Sequence, residues 1–323
     1  MMKVLIKVDE YKRNRLKAFY RMDALAQVLK QNCDITFLCN QDNRESIEYL
    51  KMRNYNVEEY SESRLLQKVD RFRGSNLIID SPNKMSSFDT HCKRIFNKTI
   101  YIDEKCDRPL HCDMIINPLF LAKELKYLVP ASCLVMSGED AMLIRDEFIF
   151  TKKIHVEEVH TILFLLDHVR TIDMLQKLSE YDFNLKVVIA NGFEEGEMVK
   201  SQIYGSNINY YTENELLDIV PECDMGIISY TQIMYDLLGT GLPMIGIVLT
   251  RIDVVHGRIL AREGLVETMG AAGIVDVFDM LNTIKTFARN IHERSKMQHN
   301  MNVLVSRNTK DNVAYRIEEL FKS

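Results

Sequence analysis

The chain has 323 residues, 46% of them hydrophobic and 27% charged, a balance that excludes a disordered or fibrous protein and fits an ordinary globular one. Lys and Arg number 41 against 46 Asp and Glu, a formal net charge of −5, so no overall basic field points to nucleic acid or an anionic membrane as partner. A single core rarely grows beyond roughly 250 to 300 residues, so the length predicts two domains.

The run KVLIKVD at 3–9 reads as a strand and leads through a basic loop into RMDALAQVLKQN, where Met22, Leu25, Ala26 and Leu29 fall at helical spacing. DITFLCN at 34–40 is a second strand, ESIEYLKMRN a second helix, and NLIID at 76–80 a third strand ending on a carboxylate. A helical stretch, TIYIDE at 99–104 and DMIINP at 113–118 complete the first round. A second round starts near residue 160 with TILFLLD and the helix TIDMLQKLSEY. It continues through KVVIANG at 186–192, the helix ENELLDIVPEC, DMGIISY at 224–230, the helix TQIMYDLLGTG and PMIGIVL at 243–249. Several of these strands are continuous apolar runs, the pattern of parallel sheets covered on both faces.

The expected fold is therefore α/β, two doubly wound Rossmann-type domains facing a cleft, over 1–150 and 151–323. The polar segment 137–160 is the expected connection, and the helical stretch 277–322 is expected to cross back and brace the first domain. Apolar stretches such as ILFLL at 162–166 fall far short of the ~20 residues that span a bilayer. The start MMKVLIKVDEYKRNR lacks the features of a signal peptide, so the reading is cytoplasmic with no membrane span. Seven cysteines (33, 39, 92, 106, 112, 133 and 223) include no CxxC pair, which reads as free thiols rather than a disulfide framework. Cys106, His111 and Cys112 lack zinc-ligand spacing, and neither a metal nor a cofactor is expected.

In open parallel sheets, ligands sit beyond the carboxyl ends of the strands, which makes Asp9, Asp80, Asp103, Asp167, His168, Arg170, Asn191, Gly192, Tyr230, Thr231, Gln232, Arg251 and Asp253 candidates. Arg21 either anchors a sugar or phosphate or pairs with a carboxylate such as Asp9 or Asp103. The basic run Lys12, Arg13, Arg15 and Lys17 either attracts a diphosphate or is a solvated loop.

TIYIDEKCDRPLHCDMIINP, GEDAMLIRDEF at 138–148, CDMGIIS, DLLGTGLPMIGIVL and HGRILAREG resemble, in order, segments of one family. It comprises the UDP-sugar hydrolase of pseudaminic acid biosynthesis and the spore coat polysaccharide biosynthesis protein G. The resemblance implies a GT-B fold, a sugar site in the first domain and a UDP site mostly in the second. It also implies hydrolysis through a His in a Gly-x-Gly-His-x-x-Arg loop after the first strand. Here that loop runs from Arg15 to Arg21, with Ala18 in place of the His and Arg15 and Lys17 in place of the glycines. Two Gly-Gly-Ser turns correspond to Asp167-His168-Val169 and to Tyr230-Thr231-Gln232. The family's Asn-Gln pair corresponds to Ile252-Asp253, its Asp-x-Tyr to Asp80-Ser81-Pro82, and its ribose-holding acid to Asp236.

Alanine cannot transfer a proton, so two functions stand at this point. One is an enzyme of spore coat or surface polysaccharide biosynthesis that hydrolyses a UDP-sugar or transfers its sugar, with Asp9, Asp80, Asp103 or His168 replacing the missing base. The other is a non-catalytic relative that binds UDP or a UDP-sugar beside a partner enzyme. A more remote third reading is a doubly wound protein for a different anion.

Overall fold

A computed structural model describes residues 1–11, 16–83, 86–271 and 276–323. The chain forms two compact units, Met1–Leu143 together with Asn308–Ser323, and Ile144–Arg307.

The first unit is built on strands β1 (Met2–Val8), β2 (Cys33–Asn40), β3 (Asn56–Tyr60), β4 (Asn76–Asp80), β5 (Thr99–Ile102), β6 (Met114–Asn117) and β7 (Leu134–Ser137). They form one sheet in the order β3-β2-β1-β4-β5-β6-β7, with every pairing parallel. Side chains alternate across a strand, and β1 shows why both faces must be covered. Val4, Ile6 and Val8 enter one buried cluster with Ile78, Ile100 and Ile102. Leu5 enters the opposite cluster with Leu77, Ile79 and Tyr101.

Helix Lys17–Leu29 covers the first face with Phe19, Met22, Leu25 and Leu29, and helix Thr309–Lys322 adds Val313, Ala314 and Ile317 to the same cluster. The i, i+4 spacing of Val313 and Ile317 gives that last helix its apolar stripe, and through it the end of the chain becomes part of the first unit.

The second unit repeats the plan with β8 (Thr161–Leu166), β9 (Asn184–Ile189), β10 (Ile208–Thr212), β11 (Met225–Ser229), β12 (Met244–Val248) and β13 (Glu267–Ala271). Their order is β10-β9-β8-β11-β12-β13, again all parallel. Ile162 to Leu166 are all buried, as a central strand between two helical layers requires. Helix Gln232–Thr240 is buried along its whole length. Arg294 lies buried between helices and donates to the carbonyls of Val156 (3.1 Å), Glu157 (2.6 Å), Phe287 (3.2 Å) and Ala288. It thereby ties the segment before β8 to helix Ile291–Val305.

Both sheets reverse their winding at one place, between β1 and β4 and between β8 and β11. The carboxyl ends of those strands are where doubly wound sheets place ligands. Among the described residues, no helix is long and apolar enough to cross a membrane.

Candidate functional site

At the ligand edge of the first unit, the predicted loop from Arg15 to Arg21 is helical from Lys17 onward. Lys12, Arg13 and Arg15 lie outside the described residues. Ala18 is fully buried in the hydrophobic cluster beside Leu16 and Phe19, so this position is part of the core.

Arg21 is also fully buried. Its Nε donates to Asp80 Oδ2, Nη2 to Asp80 Oδ1 at 2.5 Å, and Nη1 to Glu104 Oε1 at 2.6 Å. The expectation of Asp9 or Asp103 as its partner is thus corrected: Asp80 ends β4, directly across the switch from β1, while Glu104 reaches in from beyond β5. Lys17 Nζ reaches the other Glu104 oxygen at 2.5 Å, and the Tyr11 hydroxyl donates to Asp80 at 3.3 Å. Burial alone would raise the Glu104 carboxyl, but the positive charges of Lys17 and Arg21 outweigh it and hold the group at about 2. Burial and the neighbouring Asp80 push the Tyr11 phenol far above its usual range.

Asp9 accepts from Lys7 and, at 2.7 Å, from the Tyr60 hydroxyl. Asp103, 1% exposed, accepts the Lys105 N–H at 3.3 Å within its own turn. The three candidate carboxylates of this unit are therefore each engaged inside it.

The second unit presents a different edge. Asp167, just after β8, accepts from the Ser229 hydroxyl at the end of β11, bridging the switch point. His168 caps the next turn, its Nδ1 accepting the Arg170 N–H at 3.1 Å. Arg170 Nη1 in turn donates to the Leu249 carbonyl beyond β12 at 3.2 Å.

Tyr230 occupies a notch left by two glycines. A Cβ on Gly257 would lie 2.5 Å from the Tyr230 hydroxyl, and one on Gly246 would strike the same ring. Its ring centroid is 5.7 Å from that of His256, and burial pushes its phenol up to about 12. The small residues of β12 and of helix Arg251–Arg262 thus leave the space that the Tyr230 ring fills.

Thr231 follows, immediately ahead of the nine-residue helix Gln232–Thr240. Its hydroxyl oxygen is covered and has no hydrogen-bond partner among the described residues, and the same holds for Nδ2 of Asn191 beyond β9. Gln232 is buried at the first position of the helix.

One turn into that helix, Asp236 is fully buried. It accepts from Arg145 Nη2 at 2.9 Å, Nε at 3.1 Å and the Arg145 N–H at 3.3 Å. Burial is the dominant influence on the Asp236 carboxyl and raises it despite that partner. Arg251 is exposed at the first position of helix Arg251–Arg262. Asp253 closes a capping box there, accepting the N–H groups of Leu249 at 3.0 Å and Thr250 at 2.8 Å.

The structure thus brings together Asp167, His168, Arg170, Tyr230, Thr231 and Gln232 along one edge, and turns Asp236 and Asp253 toward their own scaffold. Sequence reasoning missed Glu104, which directly follows Asp103, and Arg145, which sits inside the GEDAMLIRDEF segment without having been recognised as the partner of Asp236. Among the described residues, no group of three or more His, Cys, Asp or Glu side chains is placed to hold a metal ion.

No protein-family model matches the sequence, and no curated protein matches it. Solved structures do resemble it. The kitacinnamycin glycotransferase superposes with a TM-score of 0.66 at 11% identity, over 99% of this chain and 98% of that one. A Listeria monocytogenes protein designated a UDP-N-acetylglucosamine 2-epimerase gives 0.63 at 12% identity, over 100% and 96%. The spinosyn rhamnosyltransferase SpnG, complexed with thymidine diphosphate, gives 0.56 at 9%, over 99% and 100%. At such identities the likeness establishes the fold and not the reaction: this chain has a GT-B fold made of two Rossmann-type α/β units.

Proposed function

We propose that the chain binds a nucleoside diphosphate sugar, a UDP-sugar in the first instance, at the carboxyl ends of β8, β9 and β11, and serves the biosynthesis of a spore coat or surface polysaccharide by glycosyl transfer. The observation that carries this reading is the covered, partnerless Thr231 hydroxyl directly ahead of helix Gln232–Thr240. The first N–H groups of a helix and its dipole favour a phosphate group, and a buried hydroxyl without a partner is a standing energetic deficit that a phosphate oxygen removes. Arg170, Tyr230, Gln232 and Arg251 border the same edge in sequence and fold, and Asn191 Nδ2 offers a second covered donor. Asp236 and Asp253 are engaged within their own scaffold, by Arg145 and by a capping box, and take no part in holding the ligand.

The pathway assignment rests on the sequence resemblance, and the nucleotide assignment is supported by structural relatives, one of which holds thymidine diphosphate. Transfer is favoured over hydrolysis because Ala18 is a core residue and Asp9, Asp80 and Asp103 are all engaged. Transfer can proceed by positioning and by stabilising the departing diphosphate, without a fixed base in that loop.

Those same engaged carboxylates favour a second reading, a non-catalytic nucleotide-sugar binder acting beside a partner enzyme. Calorimetric titration with UDP, TDP and UDP-N-acetylhexosamines, followed by product analysis with and without sugar acceptors, separates the readings. Binding with acceptor-dependent release of UDP supports transfer, and binding without turnover supports the non-catalytic subunit. Affinity no better than millimolar for every nucleotide refutes the site. A Thr231→Val change should weaken binding several-fold.

A further inference from the structure

The loop after β5 carries Asp107-Arg108-Pro109, to which the second-unit site gives no role. Arg108 Nη1 donates to Asp89 Oδ2 at 2.6 Å, and the Tyr101 hydroxyl fixes the other Asp89 oxygen at 2.5 Å. That ion pair uses one corner of the guanidinium. The opposite edge, Nε and Nη2, is covered and has no acceptor among the described residues.

Arg108 borders a pocket of about 180 Å³ with Tyr11, Pro82, Glu104, Lys105 and Asp107. These residues follow β1, β4 and β5, so the pocket lies at the carboxyl edge of the first sheet, beside its switch point.

Three features of the pocket select a ligand. The Nε and Nη2 hydrogens of an arginine are parallel and coplanar, the fork that matches two oxygens of a carboxylate or phosphate. Glu104 does not compete for that fork, since its two oxygens are taken by Lys17 and Arg21; Asp89 offsets the charge of Arg108 through Nη1 alone, so the unmet pair of donors, rather than net charge, sets the preference. Small-molecule sites generally start near 300 Å³, so the volume suits a charged substituent on one sugar ring rather than a whole nucleotide.

We infer that this pocket binds the carboxylate or phosphate of an anionic sugar, which Arg108 grips through Nε and Nη2 while Asp89 steadies the far corner of its guanidinium. Because both donors are covered, binding includes a shift of the guanidinium toward the ligand. The inference deepens the proposed function by making the sugar acidic. Its place in a glycan pathway rests on that function, but the binding itself does not.

The test is calorimetric titration of the full chain with sodium glucuronate, glucose 6-phosphate and glucose at matched ionic strength. At least one of the two anionic sugars should saturate in the millimolar range or tighter and exceed glucose at least tenfold, and Arg108→Gln should abolish the preference. Saturation by glucuronate alone identifies a carboxylate. Saturation by glucose 6-phosphate, competed by inorganic phosphate, identifies a phosphate.

Arg108→Gln also breaks the pair with Asp89, so Asp89→Asn, which breaks the same pair but keeps the guanidinium, should retain the preference, and thermal melts should show both variants folded. Equal binding of all three sugars, no binding of either anionic sugar, an Arg108→Gln variant that keeps the preference, or loss of the preference in Asp89→Asn overturns the inference. UDP titration of the same samples separates the two proposals: UDP binding without anionic-sugar binding defeats only this pocket, and the converse defeats only the nucleotide site.

Discussion

Replacing Arg21 with Met tests whether the ligand edge of the first unit is a structural ion network. Arg21 and Asp80 are both fully buried and joined by two hydrogen bonds, and Glu104 is the third member. Methionine fills much of the arginine's volume but leaves the Asp80 carboxylate without a cation. Breaking a buried pair from one side costs about 3–5 kcal/mol, which at a urea slope of about 2 kcal/mol/M moves a midpoint by roughly 2 M. Circular dichroism against urea is the assay. The second unit is the internal control, because among the described residues the polar partners of Arg21 (Asp80, Glu104 and Tyr11) lie in the first. Arg21→Met combined with Asp80→Leu should recover most of the loss, since an apolar replacement of both partners removes the stranded charge. A loss below about 1 kcal/mol, the range of exposed pairs, or no recovery in the double variant would refute the buried-network account.

The same network fixes a pH dependence: the Glu104 carboxyl sits at about 2 in the folded chain against an ordinary 4.5. The unfolded chain therefore binds more protons below 4.5, and the stabilisation, about 3 kcal/mol, is complete above that pH and lost as pH falls from 4.5 to 2; Glu104→Gln should flatten this part of the stability curve. Gly246→Ala should destabilise the second unit by about 1–3 kcal/mol by driving a methyl into the Tyr230 ring, and Tyr230→Ala in the same chain should relieve it, as thermal melts will show. Asp236→Asn should lower second-unit stability by about 3 kcal/mol while leaving UDP affinity within twofold by calorimetry; a several-fold loss of affinity at unchanged stability would make Asp236 a direct ligand.

The strands legible in the sequence were the interior ones. NLIID at 76–80 is β4 to the residue, and β1, β2, β5, β6, β8, β9, β11 and β12 lie within two residues of their predicted bounds at nearly every end. The four strands that escaped notice, β3, β7, β10 and β13, are the two edges of each sheet. An interior strand packs under helices on both faces and must be apolar throughout. The edge strands NVEEY and LVMS keep half or more of their residues at least partly exposed, so neither an apolar run nor a clean alternation marks them. The site was harder to read for a related reason. The sequence offers a carboxylate partner for Arg21 as one alternative, but which strand end meets it depends on sheet order. Asp80 was therefore found only as a strand terminus, Glu104 was missed, and Arg145, 91 positions from Asp236, left no local signal.

The two ligand edges differ in how far their polar groups are satisfied, and that difference carries the functional argument. Around the switch of the first sheet, Asp80, Glu104, Lys17 and Arg21 satisfy one another, and Asp9 is held by Lys7 and Tyr60. A ligand entering there would have to replace strong interactions with new ones, although among the described residues the covered edge of Arg108, Asn117 Nδ2 and Asn43 Nδ2 stand without an acceptor. At the carboxyl edge of the second sheet, Thr231 directly ahead of helix Gln232–Thr240 and Asn191 beyond β9 hold covered polar atoms without partners among the described residues. Buried polar groups are nearly always paired in folded proteins, so the unmet Thr231 and Asn191 atoms beyond the second sheet's strands are what the proposed nucleotide site rests on.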